Sequence, residues 1–147
     1  MYQLPTFRVK LVRERARAYP VDKADCYGAA VQIFMHALRD VDREHMLALH
    51  LNNQNTPLGL ERVAIGGAAG IGVTVRDVLK GAILSNAASI ILCHNHPSGN
   101  PKPSAEDLAF TAGIKQGLEA VGLALLDHIV VCPTTGRHSS MRETGLL

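Results

Sequence analysis

The feature that most constrains this chain is a short apolar run ending in two histidines. Ser89 to His94 reads SIILCH, with no alternation to keep one face wet. A run that short and unbroken is expected of a central strand covered on both faces. Its neighbours supply the covers. Helical spacing of Ala30, Phe34, Ala37, Leu38 and Val41 predicts a helix from about Asp22 to Arg39. A strand from Glu44 to Leu51 carries Leu47, Leu49 and Leu51 on one face, NNQNTP (Asn52 to Pro57) is a turn, and Leu58 to Ile65 closes a hairpin. Thr74 caps a helix to about Asn86 with Val75, Val78, Leu79, Ala82 and Ile83 inward. A helix from about Ser104 to Val121 and a strand from Leu123 to Val131 complete the order. Early helix, hairpin, then alternating helix and strand predict a single α/β domain with helices packed on a mixed sheet.

Composition sets the outer bounds. A chain of 147 residues suits one domain, and 47% apolar residues with a net charge of +2 exclude disorder. That balance does not announce nucleic acid or an anionic membrane as a partner. The most apolar stretch, Gly81 to Cys93, contains Ser85, Asn86 and Ser89 and is shorter than the about 20 residues of a membrane span. The opening residues lack the apolar core of a signal peptide. Cys26, Cys93 and Cys132 are an odd number with no C-x-x-C, so no disulfide framework is expected. A soluble, cytoplasmic protein is the expectation.

Residues 1–19 form a basic arm. Arg8, Lys10, Arg13, Arg15 and Arg17 stand against the single acid Glu14. Phe7, Val9 and Leu11 alternate with Arg8 and Lys10, which predicts a half-buried strand with one wet face; contact with nucleic acid and contact with another subunit are the other readings.

Chemistry concentrates between Cys93 and Asp107, CHNHPSGNPKPSAED. His94 and His96 are two residues apart on a strand and so point the same way, while Cys93 points to the opposite face. Pro97 stops the ladder, and three prolines with Gly99 stiffen the loop to Pro103. Ser104 has the chemistry of an N-cap, with Asp107 in the first turn behind it. A helix start packed beside the strand end brings Asp107 towards the histidines. Three ligands, His94, His96 and Asp107, with a fourth position open to water, are the pattern of a catalytic zinc. Taken separately, the histidines read as surface residues and Ser104 with Asp107 as a capping box; in combination they point to a metal.

The spacing H-x-H-x7-S-x2-D is met by His94, His96, Ser104 and Asp107. It resembles the JAMM motif of the JAB/MPN metalloprotease superfamily, and HNHPSGNPKPSAEDLAFT is similar to its bacterial RadC-like branch. The likeness extends through REHMLALHLNNQN, VRDVLKGAILSNAASIIL and LLDHIVV, over about residues 20–147. It implies an α/β/α sandwich of the JAB/MPN, cytidine-deaminase-like kind, with Zn²⁺ as cofactor and a peptide or protein as substrate. It also implies a general base at Glu44, before a strand, and an oxyanion-steadying role for Ser104. His45 and His50 read as structural or surface residues. For His128, beside Asp127, two readings stand: a satisfied strand histidine, or a buttress behind a ligand. Deamination is rejected, because no H-x-E and no P-C-x-x-C is present. The rival is a non-catalytic accessory module associated with DNA repair. Longer relatives carry a helix-hairpin-helix segment that these residues do not contain, leaving the basic arm as its support.

Overall fold

The computed structural model describes residues 1, 3–19, 27–66 and 72–147. Three helices, α1 (Tyr27–Ala37), α2 (Val75–Leu84) and α3 (Ala105–Ala120), surround five strands. The strands are β1 (His45–Leu51), β2 (Pro57–Ile65), β3 (Ser89–Asn95), β4 (Ala124–Cys132) and β5 (Arg137–Ser140). They form one sheet in the order β2-β1-β3-β4-β5. β1 pairs antiparallel with both β2 and β3, β3 pairs parallel with β4, and β4 pairs antiparallel with β5. The sheet is therefore mixed, and the chain forms an α/β domain of the expected class.

β3 is central, which explains its unbroken apolar run. Side-chain alternation sends Cys93 to one face, where it joins Leu47, Leu49, Leu51, Ile129 and Val131 beneath Ala30, Ile33 and Phe34 of α1. Ile90 and Leu92 go to the other face, with Met46, Ala48 and Leu125 against Val78 and Ala82 of α2 and Ile114 and Leu118 of α3. One helix thus covers one face and two cover the other. Phe34, Leu92, Ile114 and Leu118 are fully buried, each contributing about 1.5–3 kcal/mol relative to exposure.

Helix starts follow the sequence closely. The Thr74 hydroxyl accepts from the Asp77 N–H while the Asp77 carboxylate accepts from the Thr74 N–H, a capping box that fixes α2. Ile83, expected to face inward, is 51% exposed, because α2 buries the narrower stripe of Val78, Gly81 and Ala82. The first helix ends at Ala37 rather than Arg39; its expected start at Asp22 lies outside the described residues, as does Gly67.

The arm departs from expectation. Residues 3–19 contain no strand, and Phe7, Val9 and Leu11 are all exposed. They pair with no strand of the sheet: the expected half-buried strand is not formed. β5 was not expected, since Arg137-His138-Ser139-Ser140 carries no apolar residue to signal a strand. No helix of the described residues is long and apolar enough to cross a membrane.

Candidate metal centre

The site forms where β3 ends and α3 begins. β3 delivers His94, 2% exposed, and the chain leaves the sheet at His96, whose N–H still bonds the Val131 carbonyl of β4 at 3.0 Å. The loop after Pro97 turns through Gly99 at φ 80°, a left-handed conformation that glycine adopts without strain. The Gly99 N–H returns to the His96 carbonyl at 3.2 Å. α3 then opens on Ser104, whose hydroxyl accepts the Asp107 N–H at 3.0 Å, while the Asp107 carboxylate accepts the Ser104 N–H at 2.7 Å. That capping box aims the first turn of α3 back at the strand end.

The three expected ligands converge. The Nε2 atoms of His94 and His96 lie 2.9 Å apart. Asp107 places Oδ1 3.4 Å from the first and Oδ2 3.5 Å from the second. One ligand atom from each residue falls within 4.8 Å of the others. The outer atoms are already occupied. His96 Nδ1 lies 2.8 Å from the Asn100 carbonyl, which can only accept, so Nδ1 holds the proton and Nε2 presents a lone pair. A carboxylate and imidazole lone pairs facing one point are an electron-rich set that a divalent cation completes. Nitrogen and oxygen donors in this ratio suit zinc. The residues fit the implied metal.

The Asp107 carboxylate draws positive charge to the two Nε2 atoms, which a proton or a cation can supply. Hydrogen bonding to Asp107 raises the His96 pKa above its ordinary value, outweighing burial; the charge of Glu44 adds a smaller push in the same direction. Burial pushes the Asp107 carboxyl up, but its contacts with His94 and His96 and the Ser104 N–H outweigh that and hold it well below the usual carboxylate range. Asp107 is therefore an anion at any physiological pH.

Glu44 stands outside the ligand group, half-buried and just before β1. The β1–β3 register pairs Met46 with His94, so continuing it sets Glu44 opposite His96. Asn95, which sequence reasoning missed, holds this segment. Its buried side chain accepts the His45 N–H at 2.8 Å and donates to the Arg43 carbonyl at 3.0 Å, clamping the backbone on both sides of Glu44. It stands at the open position of His-x-His, which the motif leaves free to vary. The remaining histidines sort by contact. His45 and His50 are both buried, so the surface alternative for them falls away. His50 bonds Ser85 and Glu61, far along β1 from the site. Asp127 binds Ser140 and the Arg142 N–H, tying the C-terminal turn rather than a ligand. His128 is fully buried, and its Nε2 lies 2.8 Å from His94 Nδ1. Burial, with His94 next, pushes its pKa well below the ordinary imidazole value.

Comparison with known proteins finds relatives over most of the chain. A UPF0758 protein of Desulforamulus reducens is 43% identical over 115 residues, covering 78% of this chain and 50% of the relative. UPF0758 proteins of Clostridium acetobutylicum and Salinibacter ruber are 42% and 38% identical, over 80% and 87% of this chain and 51% of each relative. The chain thus spans about half the length of the curated relatives it matches. A family model described as the RadC-like JAB domain matches residues 25–146. The matched segment takes in β1, the His-x-His strand end and the Ser104–Asp107 helix start, and the chain belongs to the RadC-like JAB domain family.

Proposed function

We propose that this domain is a zinc-dependent hydrolase of amide bonds in a peptide or protein, including isopeptide bonds. The observation that carries the reading is the convergence of His94 Nε2, His96 Nε2 and the Asp107 carboxylate on one point beside a strand end. Zinc, when bound, supplies Lewis acidity, polarising a carbonyl and lowering the pKa of water to about 7. Glu44, held opposite His96, accepts the proton of the attacking water and passes it to the leaving amine nitrogen. A C–O bond forms at the carbonyl carbon, the C–N bond breaks, and the proton ends on the amine. The Ser104 hydroxyl accepts the Asp107 N–H with one lone pair, which leaves its proton free for the developing oxyanion; one such donor is worth roughly 3 kcal/mol of barrier.

Metal analysis of purified protein with a chelator-controlled peptide-cleavage profile tests this. One equivalent of zinc, cleavage lost on chelation and restored by zinc, and loss of turnover in Glu44→Gln with zinc retained are expected. Cleavage indifferent to chelator overturns the reading; undiminished turnover in Glu44→Gln removes Glu44 as base.

A non-catalytic, DNA-associated role is favoured by one observation: the exposed residues 3–18 carry Arg8, Lys10, Arg13, Arg15 and Arg17. DNA binding that weakens with salt, in zinc-loaded protein that cleaves no peptide, decides for it. Cys93 and Cys132 are free, which fits a reducing compartment, and we assign the cytoplasm on that ground.

A further inference from the structure

We propose that His128 and Thr111 form a directional hydrogen-bond relay that locks His94 in the tautomer able to bind metal through Nε2, tying two ligands into one unit. The proposal rests on the reading that His94 is a metal ligand, and deepens it by assigning two positioning residues.

The direction follows from counting donors. Thr111 lies one helical turn after Asp107, and its hydroxyl is 2.6 Å from the Asp107 main-chain carbonyl. A carbonyl can only accept, so the one hydroxyl proton of Thr111 points there. Met141 Sδ, the other neighbour, is 3.5 Å away and a weak acceptor. Thr111 Oγ1 also lies 2.6 Å from His128 Nδ1. With its own proton committed, the hydroxyl accepts from His128, and Nδ1 must carry a hydrogen. His128 and Thr111 are 0% and 2% exposed; among the described residues no carboxylate forms an ion pair with His128, so a charged imidazolium there is costly. Neutral His128 with hydrogen on Nδ1 has a bare Nε2. That atom is 2.8 Å from His94 Nδ1, so His94 donates, and its own Nε2 is left as a lone pair facing His96 and Asp107.

Every member of the chain has one role only. His94 donates to His128, His128 to Thr111, and Thr111 to the backbone of the residue that supplies the third ligand. Reversing a single link within the relay sets two hydrogens or two lone pairs face to face; the lone pairs left facing one another, at His94 Nε2, His96 Nε2 and Asp107, are those a divalent cation joins. His96 reaches the same tautomer by a simpler route, through the Asn100 carbonyl on the stiff loop. The two histidines are therefore oriented independently, one from the core and one from the surface.

Two measurements test the relay. Long-range proton–nitrogen NMR on the whole chain, before and after zinc addition, reads each ring's tautomer. Hydrogen on Nδ1 of both His94 and His128 is expected; hydrogen on His94 Nε2, or a doubly protonated His128, overturns the relay. Zinc affinity by chelator competition is the second readout. Thr111→Val keeps shape but removes the hydroxyl, and His128→Phe keeps bulk but removes the acceptor. Each should weaken zinc about 10–100-fold, and Thr111→Ser should restore it. Should His128→Phe fail to fold, the threonine pair alone decides. A Thr111→Val affinity within twofold of the parent overturns the proposal. Neither readout needs substrate, so a protein that keeps the relay and binds zinc yet cuts nothing would sink the hydrolase reading alone.

Discussion

Replacing Gly81 by Ala should destabilise this protein even though Gly81 sits inside a helix. In an ordinary helix interior the change stabilises by about 1 kcal/mol. Here a methyl group would overlap the Glu61 carboxylate, which lies directly against the Gly81 backbone. Glu61 is on β2, at the end of a flexible side chain, so it is Glu61 that gives way. Its Oε2 is the 3.0 Å partner of the buried His50 Nε2. Losing a hydrogen bond to a charged group costs about 1.5–3 kcal/mol, more when the group left behind is buried. Glu61 is 31% exposed in its side chain, so solvent screens the pair and a value of about 1.5–2 kcal/mol is appropriate. Gly81→Ala should therefore lose about 0.5–1 kcal/mol net, lowering Tm by roughly 1–4 °C for a chain this size. Once Glu61→Ala has removed the obstruction, the same substitution should stabilise by about 1 kcal/mol. Urea unfolding of the four proteins, with unchanged m-values, gives the coupling directly, expected at about 1.5–2 kcal/mol. If Gly81→Ala stabilises equally in both backgrounds, the Glu61 carboxylate does not lie against the Gly81 backbone.

Asn95→Ala should cost about 2–4 kcal/mol by urea unfolding, since it leaves the buried His45 N–H without an acceptor and opens a small cavity. Asn95→Asp keeps that acceptor, and should cost less at low pH, where the added carboxyl can also donate to Arg43. Burial, followed by the charges of Glu143 and Asp127, raises the Tyr27 pKa to about 12. The folded state thus prefers the neutral phenol, and this contribution is whole below the free value near 10 and fades as pH climbs towards 12. Ultraviolet titration should show one late-ionising tyrosine, absent from Tyr27→Phe. Cys93 is fully buried and burial pushes its thiol well up, so a thiol reagent should reach it only through unfolding; rapid labelling in native buffer would contradict the packing.

The chemistry of the site was more legible than its support. His94, His96, Ser104 and Asp107 lie within one stretch of sequence, where strand alternation and a capping pattern are local rules that tertiary structure has little reason to override. Thr74 was readable for the same reason. Glu44 became legible only through family resemblance, because an acid before a strand is usually just solvated. Asn95, Thr111 and His128 act across distances no periodicity encodes: Asn95 reaches fifty residues back to His45, and His128 meets Thr111 across the helix–sheet layer. The arm misled because alternation is a demand for a partner strand, not a supply of one. β5 was invisible for the reverse reason, being paired by the backbone of β4 without an apolar face of its own.

Because β1 and β3 run in opposite directions, the sheet has a margin that bears the histidines and a quiet one. Residues 52–56 turn the chain at the quiet margin, where the Asn52 side chain accepts the Gln54 and Thr56 N–H groups. β1 spans seven residues, so about 23 Å separates that bend from the histidines. Fluorophores, affinity handles or whole inserted modules can be spliced there while the opposite margin keeps its shape, which makes the bend the natural place from which to watch the domain at work.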